Sequence, residues 1–296
     1  MKATWLIEWL CSLAGTVKVK TMKLYLAGIK SYQLDVGLEC SVFSDPQLER
    51  TIQGIKRDHR EPDRRARMPL TRPLLLQLLT SLNTTDYNHL VLKAAFTLAF
   101  AAFLRVGEFT YKAADTASGP SFPSWFLTKS SVRLIGATHM ELTLPSSKTD
   151  PFRKGIKLTI AASHDSGCPV RAMTTFLTAD THRHQLSPLF CIGQVAQLPF
   201  TREYVVERLQ QLAIAAGLGL GPWKGHSSRR GAAAWAAEVG ISEREIQTLG
   251  QWRSDAYKAY IQYSQEEQVS LSHRFQVNHP QQRQRSAACL RMGTRG

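Results

Sequence analysis

The sequence predicts a mainly α-helical protein with a small antiparallel β-sheet, an α+β chain. Three observations carry that expectation. Apolar residues recur at helical spacing over most of the chain. One stretch, residues 130–160, turns β-branched and loosely alternating instead. Proline, glycine and helix-capping residues separate the helical stretches.

Taken in order, residues 5–55 read as short helices. Thr21 is placed to cap a helix carrying Leu24, Tyr25, Ile29 and Tyr32, and Gln47 to Ile55 makes another. Residues 56–73, KRDHREPDRRARMPLTRP, hold seven lysines and arginines against three acidic residues and lack an apolar face. With Pro62, Pro69 and Pro73 they read as a linker or exposed arm. A second domain opens near Leu70. Thr71 can cap a helix through Leu82, and Asp86 or Asn88 can open a longer one through Phe103. VRLIGATHMELTLPSS and GIKLTIAAS are strand-like runs separated by a turn-rich segment from Pro145 to Pro151. Helices resume after Pro169, and one from Glu203 to Ala216 ends in the glycine-rich loop GLGLGP. GAAAWAAEVG forms the next, stopped by Gly240, and Ser242 with Glu245 makes a capping box for the one after it. The expected partition is a helical domain over 1–57, a basic linker over 58–69, a main domain over 70–275, and a disordered basic tail over 276–296.

Composition narrows the class of partner. The chain of 296 residues carries a formal net charge of +14 and a pI near 9.8. Such a surplus favours a polyanion, and above all nucleic acid, through release of condensed counterions. The five cysteines are scattered without a C-x-x-C pair, which argues against a zinc site or a disulfide framework and suits a reducing compartment. No apolar run reaches the roughly 20 residues that span a bilayer, so no membrane partner is expected. Glu8 interrupts the apolar N-terminal stretch, which argues against a signal peptide.

The residues that point to chemistry are spread over more than 150 positions. Arg105 follows an apolar helix in AAFLRVGEF. Its planar fork suits two non-bridging phosphate oxygens, and Glu108, three residues on, suits a helical ion pair. His226 and Arg229 lie three apart in GHSSRRGAA, where Ser227 or Ser228 can cap a helix whose N-terminus favours an anion. Tyr260, with Tyr257, Tyr263 and Trp252 nearby, reads either as core aromatic or as a nucleophile, and it falls nine residues after Gln251. Two arginines, a histidine and a late tyrosine suit attack of a phenol oxygen on phosphorus. The basic residues Lys56, Arg57, Arg64, Arg65 and Arg67, and Arg230 beside Arg229, suit contacts to a DNA backbone.

As a set, Arg105, the H-x-x-R pair His226 and Arg229, the Leu249–Gly250 dipeptide and Tyr260 resemble the catalytic domain of tyrosine recombinases, the phage-integrase family. GHSSRRGAAAWAAEVGISEREIQTLGQWRSDAYKAYI is similar in particular to recombinases of DIRS-type and Crypton mobile elements. The resemblance spans about residues 20 to 265. It implies a two-domain DNA-breaking-rejoining fold with a helical N-terminal domain, set as a clamp around double-stranded DNA. Tyr260 is implied as nucleophile, forming a 3′-phosphotyrosyl link. Arg105 and Arg229 would hold the phosphate, and His226 would aid proton transfer. Lys148, between the predicted strands, is the implied general acid, ahead of Lys154 and Lys157. The family's His/Trp position falls at Gln251, with Trp252 one residue later, and its role is carried to Trp252. Neither metal nor ATP is implied. The resemblance further implies a tetramer on DNA, docking through residues 262–275, in a protein of DNA integration or transposition. Residence in the nucleus is inferred from the eukaryotic-element likeness. The alternatives are a catalytically inactive recombinase-derived DNA-binding protein and a type IB topoisomerase.

Overall fold

A computed structural model describes residues 2–59, 68–146, 154–219, 221–252, 254–260 and 269. The chain divides into two compact units, residues 1–66 and 67–296. Arg64, Arg65, Arg67 and Lys148 lie outside the described residues, as does nearly all of the chain after Tyr260.

The first unit holds helices α1 (Ala3–Leu13), α2 (Val19–Asp35) and α3 (Pro46–Asp58). Its core is formed by Leu6 and Leu10 of α1, Val19, Met22 and Leu26 of α2, and Leu48, Ile52 and Ile55 of α3. Two expectations are corrected here. Helix α2 begins before Thr21, because Val19 is apolar and buried two residues earlier, and Lys18 flanks it without a side-chain cap. The stripe Leu24, Tyr25 and Tyr32 faces outward, since α2 is apolar on more than one face and packs through Met22 and Leu26. Helix α3 starts where Asp45 accepts the Gln47 N–H at 2.8 Å and Pro46 stands in the first turn. It runs on to Asp58, so Lys56 and Arg57 lie exposed on its last turn rather than in a linker.

The second unit contains helices α4 (Arg72–Thr80), α5 (Tyr87–Ala101), α6 (Val106–Phe109), α7 (Ala113–Thr116), α8 (Pro169–Ala179), α9 (Arg202–Ala215), α10 (Ser227–Glu238) and α11 (Glu243–Leu249). Asp86 caps α5 by accepting the His89 N–H at 3.0 Å. Thr71 flanks α4 but makes no side-chain cap. Helix α5 is the central element. Every residue from Ala94 to Phe100 is buried, so its surface is apolar all round, and α8 and α10 pack against it. The alanines of α10 (Ala232, Ala233 and Ala236) are buried and let it approach closely.

The strand-like region forms an antiparallel sheet of order β1 (Val132–Ile135), β2 (His139–Leu144), β3 (Ile156–Ala161). The first predicted strand is therefore two strands. The chain reverses at Gly136, whose φ of +57° is a conformation that glycine adopts without strain. Met140, Leu142 and Leu144 then alternate inward, and Met140 pairs with Ile160 and Leu142 with Leu158. A second, unpredicted pair joins β4 (Cys191–Ile192) to β5 (Leu198–Pro199).

One buried ionic cluster was not anticipated. Arg183 donates to both oxygens of Asp180, from Nε at 2.8 Å and from Nη2 at 2.5 Å. It also reaches the carbonyl oxygens of Pro188 and Leu189. Lys129 Nζ lies 3.4 Å from Asp180, and the Tyr87 hydroxyl donates to the same carboxylate at 3.1 Å. The cluster ties the entry to β1 to the segment after α8.

Candidate active site

The site gathers where three loops of the second unit meet. Two residues past the end of helix α5 stands Phe103, a bulky residue with φ +52°. The chain then turns into α6, and Arg105 flanks its first residue. Glu108 folds back on that turn, accepting the Arg105 backbone N–H and its Nη1, each at 2.7 Å. The i,i+3 pair expected from sequence is therefore present, and it fixes the stem of Arg105. The Val106 N–H donates to the Gly225 carbonyl at 3.3 Å, which joins this turn to the loop carrying His226. A Cβ at Gly225 would lie 2.4 Å from Val106, so only glycine permits the approach.

His226 flanks the start of α10 and is half-buried. The serines do not cap that helix as expected. Ser227 is already its first residue, and its hydroxyl instead accepts the Lys224 N–H at 3.0 Å. The buried Ser227 also accepts the Leu70 N–H on its carbonyl at 3.0 Å. Gly231, one turn on, faces the backbone of Leu70, whose oxygen would sit 1.8 Å from an added Cβ. Together these contacts fix the axial position of α10, and with it that of Arg229.

Arg229 is 4% exposed. Its Nη1 donates to the Phe103 carbonyl and its Nη2 to the Gly250 carbonyl, the latter at 2.5 Å. Both acceptors border left-handed backbone, at Phe103 itself and at Gln251 with φ +53°. Non-glycine residues in that region are uncommon and cluster at functional sites. The Arg229 guanidinium carbon lies 4.2 Å from the centre of the Trp252 ring. Among the described residues no carboxylate lies within ion-pair distance of Arg229. Burial and the nearby charge of Arg105 pull its pKa down to about 10, while Glu108 and Tyr260 oppose the shift weakly.

Trp252 organises the aromatic side of the site. It is buried and packs on Phe103, Tyr257 and Tyr260 at centroid distances of 5.9, 5.8 and 6.1 Å. Its ring lies over Gly250, where any Cβ would sit 1.6 Å from it. Gln251 is the turn residue between them, and its side-chain amide donates to the Thr248 carbonyl at 2.9 Å. Tyr260 closes a 3-10 helix over Asp255–Tyr260, half-buried, with the Arg230 guanidinium carbon 5.3 Å from its ring centre. Helix α11 carries this segment, starting at the Ser242–Glu245 capping box that the sequence predicts.

Thus the structure assembles Arg105, His226, Arg229, Trp252 and Tyr260, with Arg230 beside them, from positions 105 to 260. Lys154 is exposed after β2, and Lys157 is exposed on β3. Sequence reasoning missed the structural role of Gly225 and Gly231, which flank the H-x-x-R motif on either side, and it named Gly250 only as part of a dipeptide. Among the described residues no group of three or more His, Cys, Asp or Glu side chains is arranged to hold a metal, and no helix is long and apolar enough to cross a membrane.

No protein-family model matches the sequence, and no curated protein matches it. Solved structures do match the fold. The XerH site-specific recombinase bound to a palindromic difH substrate, a post-cleavage complex, superposes with a TM-score of 0.58 at 12% identity, over 93% of this chain and 70% of that one. The pre-cleavage complex of XerH with difH gives 0.55 at 14% identity, over 92% and 70%. The Tn1549 transposon integrase in complex with circular intermediate DNA gives 0.51 at 14% identity, over 92% and 85%. This mainly helical chain, with its small antiparallel sheet, has the fold of the tyrosine recombinases and integrases.

Proposed function

We propose that this protein is a site-specific DNA recombinase that cuts and rejoins strands through Tyr260. The observation that carries the proposal is the environment of Arg229: a buried guanidinium without a carboxylate partner among the described residues, beside Arg105, with a phenol packed on the same tryptophan. A phosphodiester supplies the anion such a niche lacks. Two of the five Arg229 N–H donors are taken by carbonyl oxygens, which leaves others for phosphate.

In the proposed reaction Tyr260 Oη attacks phosphorus. An O–P bond to tyrosine forms and the bond from phosphorus to the 5′-oxygen breaks. The phenol proton passes toward His226, and the leaving oxygen takes a proton from a general acid, assigned to Lys148 in the connection between β2 and β3. Arg105 and Arg229 neutralise charge growing on the non-bridging oxygens, the contribution that dominates phosphoryl transfer. The phosphotyrosyl link conserves the bond energy, so rejoining is the same step reversed with a new 5′-hydroxyl. Lys56, Arg57 and the basic residues after them are proposed to hold the backbone. Assembly as a tetramer on two sites and an origin in a mobile element belong to the same proposal. They draw on the likeness of residues 225–261 to mobile-element recombinases.

The test uses a pool of nicked duplexes with randomised core sequence, so that a cut strand loses the short fragment bearing the new 5′-hydroxyl and cannot be rejoined. The wild type is expected to form a covalent DNA adduct that survives denaturant, and Tyr260→Phe to form none. An equal adduct from Tyr260→Phe, or none from the wild type, would defeat the proposal.

A further inference from the structure

Arg230 has no assigned part in the chemistry above beyond a general contact to DNA, and its surroundings suggest a narrower role. It follows Arg229 on α10 and so leaves the helix about 100° around from it. Its guanidinium carbon stands 5.3 Å from the centre of the Tyr260 ring, within the range of a cation–π contact. Its Nε is buried and has no acceptor among the described residues. Nor does Arg230 have an acidic partner among them. A buried donor without a partner is unfavourable and calls for an explanation. On the other side of the contact, the Tyr260 oxygen has no hydrogen-bond partner among the described residues. The ring is held by its contacts to Trp252 and to Arg230.

We propose that Arg230 is a positioning residue for Tyr260, holding the phenol ring by its face while leaving the oxygen free to align with phosphorus. The inference rests on the recombinase reading above. It assigns Arg230 to the nucleophile rather than to the DNA backbone. The guanidinium is suited to this because it is planar and weakly hydrated, so it lies flat on an aromatic ring where an ammonium is held less well. The arrangement also separates two neighbouring arginines by task. Arg229 faces the carbonyls and Trp252, and Arg230 faces the tyrosine.

Arg230→Met keeps an unbranched stem and removes the charged plane. On the nicked pool it is expected to bind within about twofold of the wild type, with the same salt dependence. Single-turnover adduct formation at saturating protein should fall roughly ten- to hundredfold, the scale of a misplaced reacting group. Arg230→Lys should recover only part of that loss. The loss should persist on a pool carrying 5′-bridging phosphorothiolate, whose thiolate leaves without a proton. A defect on the nucleophile survives this substitution, and a defect in leaving-group protonation does not. The inference fails if adduct forms at the wild-type rate, or if the defect vanishes on phosphorothiolate. It fails equally if affinity drops with the salt slope reduced by about one, the mark of a phosphate contact. Absence of adduct from the wild type overturns the recombinase reading itself, so the two failures are told apart. If Arg230→Met melts well below the wild type, Arg230→Gln is measured in its place against the same outcomes.

Discussion

Arg183 and Arg229 are almost equally hidden, at 5% and 4% exposure, yet the fold treats them in opposite ways. Arg183 meets a carboxylate of its own chain at two positions, two carbonyls, and the Cys191 sulfur at 3.1 Å. Burial pushes its pKa down, but the bonds to Asp180 together with the electrostatic pull of Cys191, Tyr87 and the Asp180 charge outweigh that and hold it above the ordinary value. Arg229 meets two carbonyls and an indole face, and the charge that acts on it most strongly is that of another arginine, Arg105. Burial and Arg105 leave it depressed to about 10. A buried cation that is fully neutralised within the fold supports structure. One that is oriented but not neutralised is prepared for an anion from outside.

The largest expected effect lies on the second side of this contrast. Arg229→Lys should lower the rate of adduct formation by about 10³–10⁵-fold, the range seen when an arginine that stabilises phosphoryl transfer is lost. Lysine keeps the charge but loses the fork that reaches two carbonyls and phosphate together. The melting temperature should change by only a few degrees, because the charge it carries is already held at a cost. A variant that melts early and retains its cleavage rate would reverse the assignment of the two arginines.

Arg183→Met should do the opposite. Removing one member of a buried pair strands Asp180 and two carbonyls, with Lys129 left as a partial counter-charge. The expected loss is about 3–5 kcal/mol, read as a melting temperature lower by roughly 10 °C. Below the melt, single-turnover cleavage by the folded fraction should match the wild type. Loss of cleavage without loss of stability would show that this cluster belongs to the reaction.

The contrast also shows what the sequence could and could not reveal. Arg105 with Glu108, Ser242 with Glu245, and Asp86 at the start of α5 are local patterns of three residues or so, and they are found where spacing rules place them. The Asp180 cluster joins Lys129 to a carboxylate 51 positions away, and no periodicity links the two. The outward stripe on α2 misled because the helix has apolar residues on several faces, and only partners choose among them. The serines that open α10 have the composition of a cap, but Ser227 lies inside the helix, its hydroxyl taken by the Lys224 N–H and its carbonyl by the Leu70 N–H. In the site, the set Arg105, His226, Arg229 and Tyr260 was legible because spacing and residue type agree with a known motif. The placing of Trp252 on Arg229 was not, since it depends on Gly250 allowing the ring to lie on the backbone.

The smallest expected effect tests the contrast without a substrate. Because the folded pKa of Arg229 is depressed below its unfolded value, its charged form opposes folding at every pH below about 10. That penalty is relieved as pH rises from about 10 toward the unfolded value, where the folded protein releases the proton first. A bound anion relieves it at neutral pH by another route. Inorganic phosphate at about ten times its Kd should therefore stabilise the wild type at pH 7.5 by about 1–2 kcal/mol, seen as a rise of a few degrees in melting temperature. In Arg229→Gln the phosphate increment should be mostly gone, and in Arg183→Met it should remain, superimposed on a lower melt. The wild-type increment should also shrink as pH passes about 10, as the guanidinium loses its proton. An increment that is the same in Arg229→Gln and the wild type would place phosphate elsewhere on this basic surface, and the distinction between the two arginines would then be one of packing alone.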